Sequence, residues 1–141
     1  MAIYSSDNVT NRTGVAVPVS AGGVCVAYAE VVCPAAPTTS DTLEFFTLPA
    51  GARILAATLE STDMDTGGAP SLTLNIGDAG SATRLFSAST VGQAGTAAVA
   101  TAATGLFYKT AAPLLITGKA QANAQTGAAG TVSLSVLYMV D

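Results

Sequence analysis

Apolar residues at every second position over Thr131–Val140, opposite Thr131, Ser133 and Ser135, are the feature of this sequence that most restricts its fold. The apolar residues at every second position are Val132, Leu134, Val136, Tyr138 and Val140. Because successive side chains of an extended chain point to opposite faces, this period predicts a β-strand with one buried face. Ser71–Ile76 alternates in the same way and is predicted as a second half-buried strand.

Six further segments are predicted as strands, and they are Val15–Val19, Val24–Val32, Thr42–Leu48, Arg53–Leu59, Arg84–Ala88 and Leu114–Lys119. Val24–Val32 is apolar on both sides apart from Glu30, which suits a central strand. Gly- and Pro-rich turns separate most of these segments. About eight short strands joined by such turns indicate an all-β sandwich, jelly roll or barrel. We predict a β-sandwich domain over residues 15–141.

The segment Thr90–Gly105 fits this pattern less well. Its alanine content permits a short helix of two or three turns, whereas its threonine and glycine content permits an ordered loop. Both interpretations are open at this point.

Residues 1–14 differ from the rest and are predicted to form an extended N-terminal arm. The arm is polar and carries isolated apolar anchors at Ile3, Tyr4 and Val9, with one cation at Arg12. Such a segment can add to the sheet edge of another protein, so we predict that it contacts a neighbouring protein rather than its own domain. The alternative is a first strand that closes the chain's own sheet.

The charge content is low for a domain that stands alone. Charged residues make up 10% of the chain, and Leu85–Asp141 carries only Lys109, Lys119 and Asp141. An average globular domain has about 25% charged residues. We therefore predict an oligomer or larger assembly, and a homotrimer in particular because closed symmetry stops runaway association.

Several classes of partner conflict with the composition. A net charge of -4 with scattered basic residues argues against nucleic-acid binding. The polar start of the chain lacks the pattern of a secretory signal. The uncharged run Leu85–Tyr108 is too rich in Thr, Ser, Gly and Gln for a membrane span. We predict neither a nucleic-acid nor a membrane partner.

Two loops resemble ligand-binding motifs. The glycines of Gly77–Ser81 follow a predicted strand, but they precede another strand rather than a helix and lack the lysine of a phosphate loop, which favours a hairpin. Asp63 and Asp65 resemble the start of a calcium loop, but later ligand positions are missing. Carboxylates that cap their own turn are the favoured interpretation, and calcium binding stays open.

The sequence offers few combinations of side chains that could form a catalytic site. The chain has no histidine, and nothing selects a carboxylate pair from its acids. Cys25 and Cys33 lie eight positions apart, which is too far for a disulfide if both lie on one strand, so we predict two free thiols. We predict no enzyme activity, no cofactor, and no catalytic or metal site.

An ordered set of segments resembles the small β-sandwich head decoration, or cement, proteins of tailed bacteriophages. The set comprises the turn Leu48–Ala52, the strand end Gly77–Ala79, and a closing hairpin that ends in Thr131–Val140. The resemblance extends from about Phe45 to Val140. It implies a jelly-roll-like sandwich, often trimeric, with no catalytic residues.

The resemblance also implies a function. Such a protein is made in the host cytoplasm, sits on the outer surface of the capsid and bridges subunits of the major capsid protein. The arm residues Ile3, Tyr4, Val9 and Arg12 would then contact the capsid or a neighbouring subunit. Two alternatives stay open at this stage: a tail or fibre component that contacts the host surface, and a carbohydrate- or ligand-binding module.

Overall fold

The computed structural model describes residues 1–11, 23–101 and 103–141. The strands are β1 (Ile3–Ser5), β2 (Val24–Cys33), β3 (Thr42–Leu48), β4 (Ala52–Ser61), β5 (Thr73–Gly77), β6 (Phe86–Ser89), β7 (Ala97–Val99), β8 (Leu114–Ala122) and β9 (Gly130–Val140). One turn of α-helix, α1 (Asp7–Thr10), and one 3-10 turn, Val91–Gln93, complete the described elements.

The strands form two sheets with the connectivity of a jelly roll. The five-stranded sheet has the order β1-β3-β8-β5-β6, and the four-stranded sheet has the order β2-β9-β4-β7. Consecutive described strands alternate between the two sheets throughout, except that β5 and β6 form a hairpin within one sheet. The predicted jelly-roll-like β-sandwich is confirmed.

Alternate residues of both sheets meet in one hydrophobic core. The largest fully buried side chains are Tyr138, Phe45, Phe46, Leu43, Leu48, Ile54, Leu59, Met64, Leu72, Leu74, Ile76 and Leu85. The alternation of Thr131–Val140 matches this core, because Val132, Leu134, Val136 and Tyr138 are buried while Leu137 is exposed.

The position of β8 and β9 explains part of the low charge of the second half of the chain. β8 lies between β3 and β5, and β9 lies between β2 and β4. A central strand has neighbours on both sides and a buried face, so it has little room for charge. The sandwich therefore accounts for the lack of charge on the buried sides of β8 and β9, and not for its lack on the outward side of β9.

The N-terminal segment packs on its own domain, which corrects part of the arm prediction. β1 pairs in parallel with β3, with Ile3 opposite Thr42 and Ser5 opposite Glu44. Ser6 is buried and caps α1 through a bond from the Val9 amide to its Oγ. For residues 3–5 the structure follows the alternative, a strand that joins the chain's own sheet, and residues 7–10 are helical rather than extended.

Two other predictions are corrected. Among the described strands β2 is an edge strand rather than a central one, because β9 is its single neighbour there. Thr90–Gly105 contains no helix of two or three turns in its described part, where a 3-10 turn is followed by the short strand β7. The predicted strand Val15–Val19 lies outside the described residues.

The segments that carried the family resemblance have clear structural roles. The turn Leu48–Ala52 carries the chain from the end of β3 to the start of β4 in the other sheet, and Gly51 takes a φ of 79° that favours glycine. Gly77 ends β5. The expected closing hairpin is instead a crossover, because β8 and β9 belong to different sheets.

Candidate interaction surface

The glycine-rich loop Gly77–Ser81 is a hairpin, as predicted. An added Cβ at Gly77 would lie 2.1 Å from the Ser81 carbonyl oxygen, so the loop is too tight there for a side chain. The amides of Gly80 and Ser81 donate to Asp78 Oδ1 at 2.8 and 3.0 Å. The donors that a phosphate would need are therefore used by the loop's own carboxylate.

The side chain of Arg84 also stabilises the Gly77–Ser81 loop. Arg84 forms an ion pair with Asp78, and its guanidinium carbon lies 3.7 Å from the centre of the Tyr108 ring. Burial tends to raise the pKa of the Asp78 carboxyl, but the Arg84 bond and the two loop amides outweigh it and lower the pKa. The cluster stabilises a turn.

Asp65 connects two crossovers between the sheets. Its buried carboxylate accepts bonds from the amides of Ser71 and Leu72 at 2.7 and 3.0 Å, in the β4–β5 connection. It also accepts from the amides of Gln125 and Thr126, both at 3.0 Å, in the β8–β9 connection. Burial tends to raise the Asp65 pKa, but the four amides lower it well below its usual range.

This geometry favours the capping interpretation of the Asp63–Asp65 loop. Asp63 Oδ1 accepts a bond of 3.1 Å from the Asp65 amide, as a carboxylate that caps its own turn does. The four N–H donors at Asp65 point their positive ends at the oxygens that a calcium ion would need. In residues 1–11, 23–101 and 103–141, no group of three His, Cys, Asp or Glu side chains is placed to hold a metal.

The two cysteines are free thiols, as predicted. Cys33 is buried at one end of β2, and Cys25 is half-buried near the other end. Burial raises the pKa of the Cys33 thiol to about 11, so this sulfur is protonated and unreactive at neutral pH.

The four residues predicted for the arm have different environments. Ile3 is 53% exposed, and Tyr4 is half-buried against the core. Val9 is half-buried in α1. Arg12 lies outside the described residues. Within the described part of the arm, Ile3 is therefore the anchor that is open to a neighbour.

The outward side of the four-stranded sheet carries most of the large hydrophobic side chains that stay exposed. We define the outer face as this side of β2, β9, β4 and β7, and these side chains on it are Val24, Val26, Tyr28, Val32, Val99 and Leu137. The four on β2 are between 53% and 69% exposed. An exposed apolar patch of this kind marks an interaction surface on a soluble protein.

Strand register arranges this face in rows. Val24, Met139 and Arg53 form the first row, and Val26, Leu137 and Ala56 form the second. We call these two the apolar rows.

The third row is mixed, and the fourth is acidic. Tyr28, Ser135 and Thr58 form the third row. Glu30 and Glu60 flank Ser133 in the next one, which we call the acidic row. A fifth row, with Val32 opposite Thr131, lies beyond the acidic row, so the outer face is apolar in its first two rows and negative in its fourth.

A charged corner adjoins the first apolar row. Asp141 accepts from Arg53 Nε at 3.0 Å and from Lys109 Nζ at 3.1 Å, and these contacts lower its pKa. The neighbouring Phe107 is 65% exposed and has a φ of 64°, which is rare for a bulky residue. Its amide donates to the Ile54 carbonyl at 2.7 Å, and its carbonyl accepts from Arg53 at 3.0 Å.

The aromatic residues form no platform for a sugar. Phe45, Phe46, Phe86 and Tyr138 are buried, and Tyr4 and Tyr108 are half-buried. Tyr28 on β2 is separated from Phe107 by β9 and β4, so the two exposed rings lie at opposite edges of the sheet.

The outer face was missed by sequence reasoning, although β2 contained the signal. An apolar residue at both even and odd positions of Val24–Val32 was interpreted as burial on both sides. The same pattern arises when a strand buries one side in its own core and presents the other to a partner. Glu30 lies on the exposed side, and it was the residue that distinguished a strand buried on both sides from a strand buried on one side.

The described part of the chain contains no helix both long and apolar enough to cross a membrane. No family model and no curated protein matches the sequence.

Solved structures of phage capsids do match it. A chain of the cyanophage Pam1 capsid asymmetric unit is 42% identical with a TM-score of 0.80, and the match covers 93% of this chain and 96% of that one. A chain of the capsid of Ralstonia phage GP4 is 32% identical with a TM-score of 0.87, covering 99% and 98%.

A third solved structure has a similar fold at much lower sequence identity. A chain of the acidic stable capsid structure of Helicobacter pylori bacteriophage KHP30 shares 12% identity and a TM-score of 0.61 over 86% of this chain and 90% of that one, which shows a common fold. The identity and coverage of the first two matches go further than fold, and the chain belongs to the family of bacteriophage capsid proteins that the Pam1 and GP4 chains represent.

Proposed function

We propose that the chain is a capsid decoration, or cement, protein that binds the outer surface of the phage head and stabilises it by bridging subunits of the major capsid protein. The observation that carries this proposal is the exposed outer face of the four-stranded sheet in a capsid protein. The hydrophobic side chains of this face do not form part of the core of the sandwich. Covering them removes apolar area from water, which is the main driving force of protein association.

The rest of the molecule supports a binding role. The glycine loop and the Asp65 carboxylate, which resembled ligand sites, are both occupied by the chain's own amides and stabilise turns. A protein that stabilises an assembly needs a broad contact surface rather than an enclosed pocket. The outer face provides such a surface.

A homotrimer and a contact through the N-terminal segment belong to the same proposal. The resemblance to decoration proteins supports the trimer. Ile3 supports the contact, because it is exposed on β1 at the edge of the five-stranded sheet. Tyr4, Val9 and Arg12 complete the proposed segment. It acts from a position already joined to β3, so a neighbour would meet an ordered strand.

Reconstitution on heads tests the proposal. Heads purified without this protein are mixed with it, and bound copies are counted by quantitative mass spectrometry. A decoration protein reaches on the order of hundreds of copies per particle, set by capsid symmetry, and raises the temperature at which heads rupture. Failure to bind heads, or about ten copies at one vertex, would contradict the proposal, and the second result would indicate a tail component.

A further inference from the structure

The acidic row is the fourth of the five rows of the outer face, and its neighbouring rows carry no charged side chain. Glu30 and Glu60 both lie opposite Ser133 in register, on the two strands that flank β9. Neighbouring strands are about 4.8 Å apart, so the two strands that carry the glutamates are about 10 Å apart. The Tyr28 hydroxyl donates to Glu30 Oε1 at 2.8 Å. The ion pairs found among the described residues involve neither glutamate.

This row makes the outer face a poor match for itself. If two copies overlap fully about a two-fold axis along the strands, each acidic row faces the other acidic row. If the axis runs across the strands, the acidic row faces the row of Val26 and Leu137 instead. The first arrangement repels, and the second buries carboxylates against apolar groups without a counter-charge. Either arrangement opposes the gain from covering the apolar rows.

We propose that the outer face binds a surface of the major capsid protein, a different chain, that presents an apolar patch beside a row of Lys or Arg side chains. This inference rests on the proposed decoration function and names the partner chemistry of its surface. The apolar patch covers the apolar rows, and the basic row pairs with Glu30 and Glu60. Leu137 and Ser133 are four residues apart, so the partner's patch and basic row are separated by about 13 Å.

The size of the face shows why the charges matter. Its rows run from Thr131 to Met139, about 26 Å of strand, and three strands make it about 14 Å wide. The resulting area of roughly 400 Å² is half of the ~800 Å² that each partner buries in a standard interface. Each contact is therefore weak without its ion pairs, and in the proposed homotrimer three linked copies would strengthen binding together.

Charge reversal on heads tests the inference. Glu30→Lys and Glu60→Lys are compared with Gln121→Lys, a control that adds a positive charge at an exposed position of the other sheet. We expect each outer-face variant to weaken binding to undecorated heads by about tenfold or more, and the control to change it by less than about twofold. Wild-type binding should weaken as salt rises from low to physiological ionic strength, because exposed ion pairs are screened.

The results separate the two proposals. If wild-type protein fails to bind heads, the decoration function itself is wrong. If wild-type protein binds but all three variants bind equally well, decoration stands and the assigned face is overturned. Light scattering of Glu60→Lys and Val26→Asp provides a further check, since an unchanged mass supports a different partner. A loss of oligomer mass in these variants alone would show instead that copies of the chain meet at this face.

Discussion

The outward sides of the two sheets differ in what they present to solvent. On the five-stranded sheet, Glu44 lies opposite Thr117 and Asn75 lies opposite Lys119, a mixture of polar and charged residues typical of a solvated face. On the four-stranded sheet the corresponding rows hold Val24, Val26 and Leu137. Both sheets bury their other side in the same core, so the fold needs only one side of each. The core does not account for the hydrophobic residues on the second face, and the proposed association does.

The first test concerns the two sides of β9, where the expected effect on stability is largest. Leu134→Ala removes a buried side chain and should cost about 2–5 kcal/mol of unfolding free energy. Leu137→Ala on the outward side of the same strand should cost less than about 1 kcal/mol, because solvent already reaches it. Urea unfolding of both variants measures the difference. Equal losses would mean that Leu137 is needed for folding and that the outer face is not available to a partner.

The second test compares the two outer faces directly. Val26→Asp places a charge in the apolar rows and should weaken binding to undecorated heads by about 100-fold. Thr117→Asp, the control on the five-stranded sheet, should leave binding within about twofold. Sedimentation of heads with labelled protein measures both, and melting temperatures verify folding. If Thr117→Asp weakened head binding more than Val26→Asp, the binding face would be that of the five-stranded sheet instead.

The third test concerns the carboxylate that holds the sheets together at one end. Asp65→Asn places an amide N–H group among four backbone donors, so its melting temperature at pH 7 should fall by several degrees. Because the folded pKa of Asp65 lies below its ordinary value of 3.8, its charge stabilises the fold fully above that pH. This contribution is lost as pH falls toward the lowered folded pKa.

The difference between wild type and Asp65→Asn should therefore shrink below about pH 4. Differential scanning calorimetry between pH 2 and pH 7 measures it. Asp63→Asn is the control, since Asp63 accepts a single described bond, from the Asp65 amide. A difference that stays constant with pH would show that the Asp65 carboxylate is not the stabilising form.

The smallest expected effect is at Phe107. Phe107→Gly relieves a φ of 64°, which should stabilise the isolated protein by about 1 kcal/mol. The exposed ring adjoins the apolar end of the outer face, so the same variant should bind heads a few-fold more weakly. Thermal unfolding and head binding are measured on one preparation. Destabilisation would mean that the ring supports the fold, and it would remove Phe107 from the proposed contact.

Much of the fold could be predicted because alternation reports burial directly. Thr42–Leu48 matches β3, and Thr131–Val140 matches all but the first residue of β9. β7 was missed because its three residues, from Ala97 to Val99, are too few to show a period and lie among alanines. The N-terminal strand was the second choice in the prediction for a similar reason, since β1 is also three residues long.

The candidate surface was harder to predict than the fold. A residue such as Val26 is equally apolar whether it faces a core or a partner, so the sequence alone does not show that β2 is an edge strand. The Asp65 bonds to Gln125 and Thr126 join residues about 60 positions apart, and no local motif predicts them. The strand order and the long-range hydrogen bonds of the structure were needed to identify the edge position of β2 and the role of Asp65.

The central claim is that the capsid covers the outer face of the four-stranded sheet, and hydroxyl-radical footprinting of free protein and of decorated heads tests it most directly. We expect Tyr28, Leu137 and Met139 to lose most of their reactivity on heads. Leu115, a half-buried residue on the outward side of the five-stranded sheet, should react at the same rate in both samples. Protection of Leu115 with Tyr28 and Met139 still fully reactive would contradict the account.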